Sequence, residues 1–295
     1  MTQTISLHFS TLTEHCHDEE DETITADELR MRINQLPKVV QEFFKKVCND
    51  ANNYADEDIY PFSRLLRIEQ KGQFLLNGDY IPFTANQEFR TSYKHAGFVW
   101  EANMKSAMGC IPVNISVCDA YIEGEGIMWA QLPGGIPIVR PRQSHQLNVG
   151  ELLRWAVEAV LFPLALLPPI NSKRGDGIAW LTSENEVDNS ATLELEHHGI
   201  TVNLIFHFNP ITHLVTSIRC RRPRSVGNDK YEMTSWSGYC YDWKVRGGML
   251  VPTRMECGWQ VDEDKPPEIY FKGTNNHFVY LMNSHPIACK HHHAE

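Results

Sequence analysis

From Leu65 to Met282 the chain is written in strand-length runs of β-branched and aromatic residues separated by turn pairs, and that pattern leaves few folds open to it. Leu65–Leu76, Ile81–Thr91, Phe98–Met108 and Val113–Ile122 are divided by Asn77-Gly78, the His95–Gly97 stretch and Gly109. Such residues suit a pleated, half-buried surface, and such breakers suit tight reversals. The pattern predicts a further pair at Gly126–Gln131 and Ile136–Leu147, turning at Pro133–Gly135. Beyond residue 190, Leu193 and Leu195 alternate with Glu194 and Glu196, and Val202, Leu204, Phe206 and Phe208 alternate with Asn203, Ile205 and His207. His198-Gly199 joins these runs. Leu214–Arg222, a hairpin of Ser235–Arg246 and Leu250–Gln260 around Gly247-Gly248, and shorter strands at Glu268–Lys272 and Phe278–Met282 complete the series.

One segment breaks this rhythm. Glu151–Leu167 is apolar and helical in pattern, with Gly150 at its start and Pro163 inside it. Many strands split by one kinked helix point to a mainly β (α+β) fold, a curved antiparallel sheet or incomplete β-barrel whose concave face the helix covers. The inside of such a sheet is either packed solid or left with room for a ligand. Upstream, Thr25–Glu28 matches a capping box, and Pro37 suits the first turn of a second helix, Lys38 to Val47, with Val39, Val40, Phe43, Phe44 and Val47 on one face. The expected organisation is an acidic solvated tail over 1–23, helices over 24–50, and a β cup over 60–285 with the helix of 150–167 inserted.

Other function classes are disfavoured by composition. A formal net charge of −10 over 295 residues repels phosphate backbones, so no nucleic-acid partner is expected. Eight single cysteines without a C-x-x-C pair read as buried thiols of a reducing compartment. With no positively charged leader before Phe9, this predicts a cytoplasmic protein. Ala159–Ile170 is too short and too broken by proline for a membrane span. His15 and His17 beside the acidic run Asp18–Glu22 make a poor metal site, and His291–His293 offer no ligand geometry, so no metal is expected. Phosphate-loop, nucleophile-elbow, zinc-protease and strand-coupled dinucleotide motifs are absent, which predicts no cofactor.

The ordered series Phe98–Ala102, Asp119–Gly126, Glu151–Glu158 with Pro163, Ile178–Trp180, Phe206–Asn209, Arg219, Trp236–Gly238 and Val251-Pro252 with Glu256 and Trp259 resembles a bacterial family of unknown function over about residues 36 to 280. The strand pattern also resembles the lipoprotein-carrier type of fold. That resemblance implies an incomplete barrel closing over helices around acyl chains. A cofactor-independent pigment-biosynthesis enzyme of similar fold extends the implication to chemistry.

Candidate site residues follow from spacing. Glu151, Arg154 and Glu158 at i, i+3 and i+7 share a face of an otherwise greasy helix. They form either a polar stripe lining a cavity, with Glu158 as acid or base and Arg154 holding an oxyanion, or a buried network pinning the helix to the sheet. Asp119 and Tyr121 point the same way on a strand. They face the cavity, or Asp119 bonds backbone amides before Gly124 and Gly126. His145 is a further catalytic candidate. Trp100 and Trp259 are the expected cavity walls, with Trp155 and Tyr239 beside them, and Arg219 of the Arg219–Arg224 cluster is the candidate for an anionic head group. The leading expectation is a hydrophobic or aromatic small molecule bound in a β cup. A cofactor-independent cyclase or isomerase using Glu158, Arg154 and Asp119 is the alternative.

Overall fold

The computed structural model describes residues 23–49, 59–61, 64–108, 111–182 and 189–281. The acidic run Asp18–Glu22, His15, His17, Gly109, Met282, the C-terminal histidines and Cys16, Cys110 and Cys289 lie outside them. A short strand β1 (Thr23–Thr25) leads into α1 (Ala26–Asn34) and α2 (Lys38–Asn49), and β1 pairs with β2 (Ile59–Pro61). Half of the expected capping box is present: the Thr25 hydroxyl accepts from the Glu28 amide at 3.1 Å, while the Glu28 carboxylate accepts from Arg32 at 2.6 Å. Val40, Phe43, Phe44 and Val47 are fully buried on one face of α2. At about 1.5–3 kcal/mol each, that burial holds the helix to the body.

Two antiparallel meanders make one thirteen-stranded sheet. The first contains β3 (Leu65–Leu76), β4 (Asp79–Arg90), β5 (Gly97–Met108), β6 (Ile111–Ile122), β7 (Glu125–Leu132) and β8 (Ile136–Val139). The second contains β9 (Ile178–Thr182), β10 (Ser190–His197), β11 (Ile200–Phe208), β12 (Val215–Gly227), β13 (Lys230–Arg246), β14 (Met249–Gln260) and β15 (Glu268–Leu281). Spatial order runs β8-β7-β6-β5-β4-β3-β15-β14-β13-β12-β11-β10-β9, so the pairing of β15 with β3 joins the meanders at the centre. The connection from β8 to β9 therefore runs from one sheet edge to the other, and it carries the central helix α3 (His145–Glu158). Helix α3 packs on β5, β6 and β7 from one wing and on β11 and β12 from the other. Strands so far apart in the sheet order reach one helix because the sheet curls around it.

The wings meet at one end. The hydroxyl of Tyr121 on β6 is hydrogen-bonded to Nδ1 of His197 on β10 at 3.0 Å. Beside it the β6–β7 turn places Glu123 at φ 48° and Gly124 at φ 83°, and a Cβ on Gly124 would sit 2.8 Å from His198.

Several boundaries differ from expectation. The strand expected at Ile136–Leu147 stops at Val139, and α3 begins at His145 instead of Glu151. The cause is local: Pro141 has no amide for a ladder, and the Ser144 hydroxyl caps the helix by accepting from the Leu147 amide at 3.2 Å. Gly150 is thus interior. At the far end, 3-10 turns at Ala159–Leu161 and Pro163–Leu166 replace regular helix. β15 is one strand where two were expected, its register shifting between Asn276 and Val279. Ile178–Thr182 is a strand that the periodicity did not single out. Among the described residues, no helix is long and apolar enough to cross a membrane.

Candidate functional site

Between α3 and the concave face lies a cavity of about 450 Å³. Buried Trp100, Glu151 and Val157 form its inner wall, and exposed Val139, Gln146 and Ser225 mark its mouth. Glycines set its shape. A Cβ on Gly126 would lie 2.8 Å from the Leu147 carbonyl oxygen, so β7 approaches α3 closely only with glycine there. Asn148 reinforces the approach, its Oδ1 accepting from the Gly126 amide at 2.9 Å. On β13, a Cβ at Gly238 would meet the Trp236 ring at 2.9 Å and Val157 at 3.4 Å, which keeps that wall thin.

The polar part of the cavity centres on α3. Arg154 donates from Nη1 to Asp119 Oδ2 at 2.5 Å and from Nε to Glu158 Oε2 at 3.4 Å. Gln87 donates to the same Glu158 oxygen at 2.8 Å. The guanidinium lies 4.8 Å from the Phe98 ring centroid and 4.9 Å from that of Trp100. Burial works against the Arg154 charge, but Glu158, Asp119 and Glu151 outweigh it and raise its pKa. Burial likewise pushes the Asp119 carboxyl up, and the Arg154 guanidinium beside it offsets part of that rise. Glu151 has no such hydrogen bond. Its Oε2 is buried without a partner, and burial, with Asp119 adding to it, pushes its carboxyl up to about 8. At neutral pH Glu151 is a neutral acid able to donate a hydrogen bond.

The opposite wall is aromatic. Trp236 donates from Nε1 to the Tyr270 hydroxyl at 3.1 Å, and Trp259 stacks on Tyr270 with centroids 6.0 Å apart. Trp100 donates to Gln70 Oε1 at 2.7 Å, and Gln70 donates to Asn275 Oδ1 at 2.7 Å. This chain fixes the indole edge-on to Phe83, centroids 5.7 Å apart.

The structure brings Glu151, Arg154, Glu158, Asp119, Trp100 and Trp259 together around the cavity. Asp119 is held by a guanidinium, not by the backbone amides before Gly124 and Gly126. The other candidates lie elsewhere. Tyr121 closes the seam with His197, beyond the cavity. Trp155 is fully buried and donates to the Arg90 carbonyl at 2.9 Å, because it leaves α3 on the face turned toward β4. His145 is exposed in the first turn of α3. Arg219 and Tyr239 point to the outer face of the sheet, Tyr239 stacking on Tyr241. Arg222 and Arg224, on the inner face of β12, line the cavity in place of Arg219, and Tyr270 lines it as well. The signal for Arg222 is the alternation itself: Ile218 is buried on the inner face, and Cys220, Arg222 and Arg224 continue its phase.

Solved structures that match the chain include a DUF1329 family protein from Desulfovibrio piger, at 11% identity over 82% of this chain and 92% of that one, TM-score 0.39. A putative outer membrane lipoprotein-sorting protein domain from Vibrio parahaemolyticus matches at 7% identity over 80% and 92%, TM-score 0.40. A LolA superfamily protein from Nitrosomonas europaea matches at 13% identity over 80% and 94%, TM-score 0.36. No curated protein matches the chain. The model of one family, described as a family of unknown function (DUF6920), matches residues 34–280, and the chain belongs to that family.

Proposed function

We propose that the protein binds a hydrophobic or aromatic small molecule in the cup between α3 and the curled sheet. The observation that carries this reading is the cavity of about 450 Å³, which has the size and the mixed apolar and polar lining of a small-molecule site. A core built only for stability would be filled to native density. Incubation of the purified protein with acyl and polycyclic compounds, read by native mass spectrometry, tests it. One bound molecule per chain is expected, and it is lost in Val157→Phe, whose ring projects into the cavity. Absence of any bound species from the unaltered protein overturns the reading. Five cysteines among the described residues are free thiols, which supports a cytoplasmic setting.

One observation favours a second reading, the cofactor-independent cyclase or isomerase. Glu151 faces the cavity with its carboxyl pushed up to about 8, beside Asp119 and Arg154, and a carboxylic acid kept protonated near neutral pH suits acid–base work. The acid would be Glu151 rather than Glu158, with Arg154 and Asp119 setting its surroundings. Glu151→Gln would then stop turnover and leave ligand affinity nearly unchanged, whereas a fall in affinity alone would leave the binding reading in place.

A further inference from the structure

Arg154 is paired with Asp119 and Glu158, but a second guanidinium in the cavity has no such partner. Among the described residues Arg222 makes no side-chain hydrogen bond and no ion pair. Its Cζ lies 5.6 Å from the Trp236 ring centroid and 5.9 Å from that of Trp259. Two residues on, Arg224 faces the same cavity. Its Nε is buried without a partner, and its terminal nitrogen reaches only Glu232, 3.8 Å away and 65% exposed. Residues two apart on a strand are about 7 Å apart at Cα, within reach of one group of anionic oxygens.

Neighbouring acids are largely taken up elsewhere: Asp119, which also feels Arg222, is held by Arg154 at 2.5 Å. Glu256, which also lines the cavity, is held by Arg254 at 2.7 Å. Glu151 faces the space as a neutral donor, since burial pushes it up to about 8. Guanidinium groups half withdrawn from water with no close anion lose hydration that a bound anion would replace, and a planar fork of donors matches a carboxylate or phosphate.

Resting on the reading that an apolar guest occupies the cup, we propose that this guest is an amphiphile whose acidic head group, a carboxylate or a phosphate, binds across Arg222 and Arg224. Its apolar body lies along Trp236, Trp259, Tyr270 and Phe271.

Quenching of tryptophan fluorescence in the full chain tests the proposal with decanoic acid, decyl phosphate, decan-1-ol, decylamine and inorganic phosphate. The acid and the decyl phosphate are expected to bind at least tenfold more tightly than the alcohol and the amine. Arg222→Gln and Arg224→Gln should each erode that preference while the alcohol binds as before, and Arg222→Lys should retain part of it. The comparison among ligands uses the unaltered protein and holds even where a variant fails to fold. Equal binding of acid and alcohol overturns the proposal and leaves the apolar-guest reading standing. Inorganic phosphate binding as tightly as decyl phosphate overturns it in favour of a free-anion site. Binding of none of the decyl compounds overturns both.

Discussion

The guanidinium of Arg154 on α3 stands 2.5 Å from the carboxylate of Asp119 on β6, with side-chain exposures of 14% and 17%. This pair ties the helix to the sheet from inside the cup. Replacing Arg154 by Met leaves Asp119 and Glu158 without their cation in a largely buried site. Removing one member of such a pair costs about 3–5 kcal/mol. Urea unfolding of Arg154→Met is therefore expected to show a loss of that order. Adding Asp119→Leu should recover part of it, because the orphaned charge is then gone. A single variant as stable as the unaltered protein would show that the pair does not anchor the helix.

Two buried groups should shape the pH dependence of stability from opposite sides. Glu151 has a folded pKa of about 8 against an unfolded 4.5, so its contribution is complete below pH 4.5 and is lost as pH rises through 8. Burial also pushes Glu101 up to about 7, adding to the same alkaline decline. His197 is shifted the other way. Burial, aided by the neighbouring His198, lowers it from 6.5 to about 4. Its contribution is present above 6.5 and is lost as pH falls through 4. At ~1.4 kcal/mol per pKa unit, the Glu151 and His197 shifts each amount to a few kcal/mol, and the half-exposed Glu101 adds less because water screens it. Unfolding free energies measured from pH 4 to pH 9 should show Glu151→Gln flattening the alkaline limb in part, and His197→Asn the acidic one.

The strands were legible because their alternation and turn pairs survive in one sequence, and the charged face of α3 was legible because its spacing is helical. What the sequence concealed was phase and reach. Arg219 and Arg222 differ by an odd number of positions, so they face opposite sides, and only the buried Ile218 fixes which one faces inward. Tyr239 failed for the same reason, since Trp236, Gly238 and Cys240 hold the inner phase of β13. Tyr121 had the right face but the wrong depth: it points inward like Asp119, yet its partner His197 comes from the far wing. Gly150 looked like a helix boundary because glycine usually marks one, whereas here it is a buried residue in the interior of α3, which the Ser144 cap starts earlier.

Gly126 offers a direct test of how closely helix and sheet approach. A methyl group there would lie 2.8 Å from the Leu147 carbonyl oxygen, 2.9 Å from its carbon and 3.0 Å from Glu151 Cγ. The first two are backbone atoms inside α3 and cannot swing aside as a flexible side chain would. Gly126→Ala is expected to cost about 1–3 kcal/mol, the usual range for overpacking. Since the helix must move outward to relieve the contact, ligand affinity should fall with stability. Gly134→Ala is a useful comparison, because a Cβ there meets nothing within 4 Å and only its φ of 82° opposes the change. It should lower stability without touching affinity. Calorimetry and a ligand titration on both variants separate the two effects.

The seam between the wings makes the last prediction. Tyr121 is fully buried, and its hydroxyl is hydrogen-bonded to His197 across two strands that are far apart in the sheet order. Tyr121→Phe keeps the ring and removes only that bond. A net loss of about 1 kcal/mol is expected. Tyr239→Phe alters a ring on the outer face and should change stability by less than about 0.5 kcal/mol. The distinguishing readout is local. If this bond holds the curled sheet shut at one end, amides of Glu123–Gly124 and His198–Gly199 should exchange faster in Tyr121→Phe, while those of the distant Asn77–Gly78 turn keep their rates. Uniform acceleration across all three turns would mean that the bond serves global stability alone and that packing of both wings on α3 suffices to close the cup.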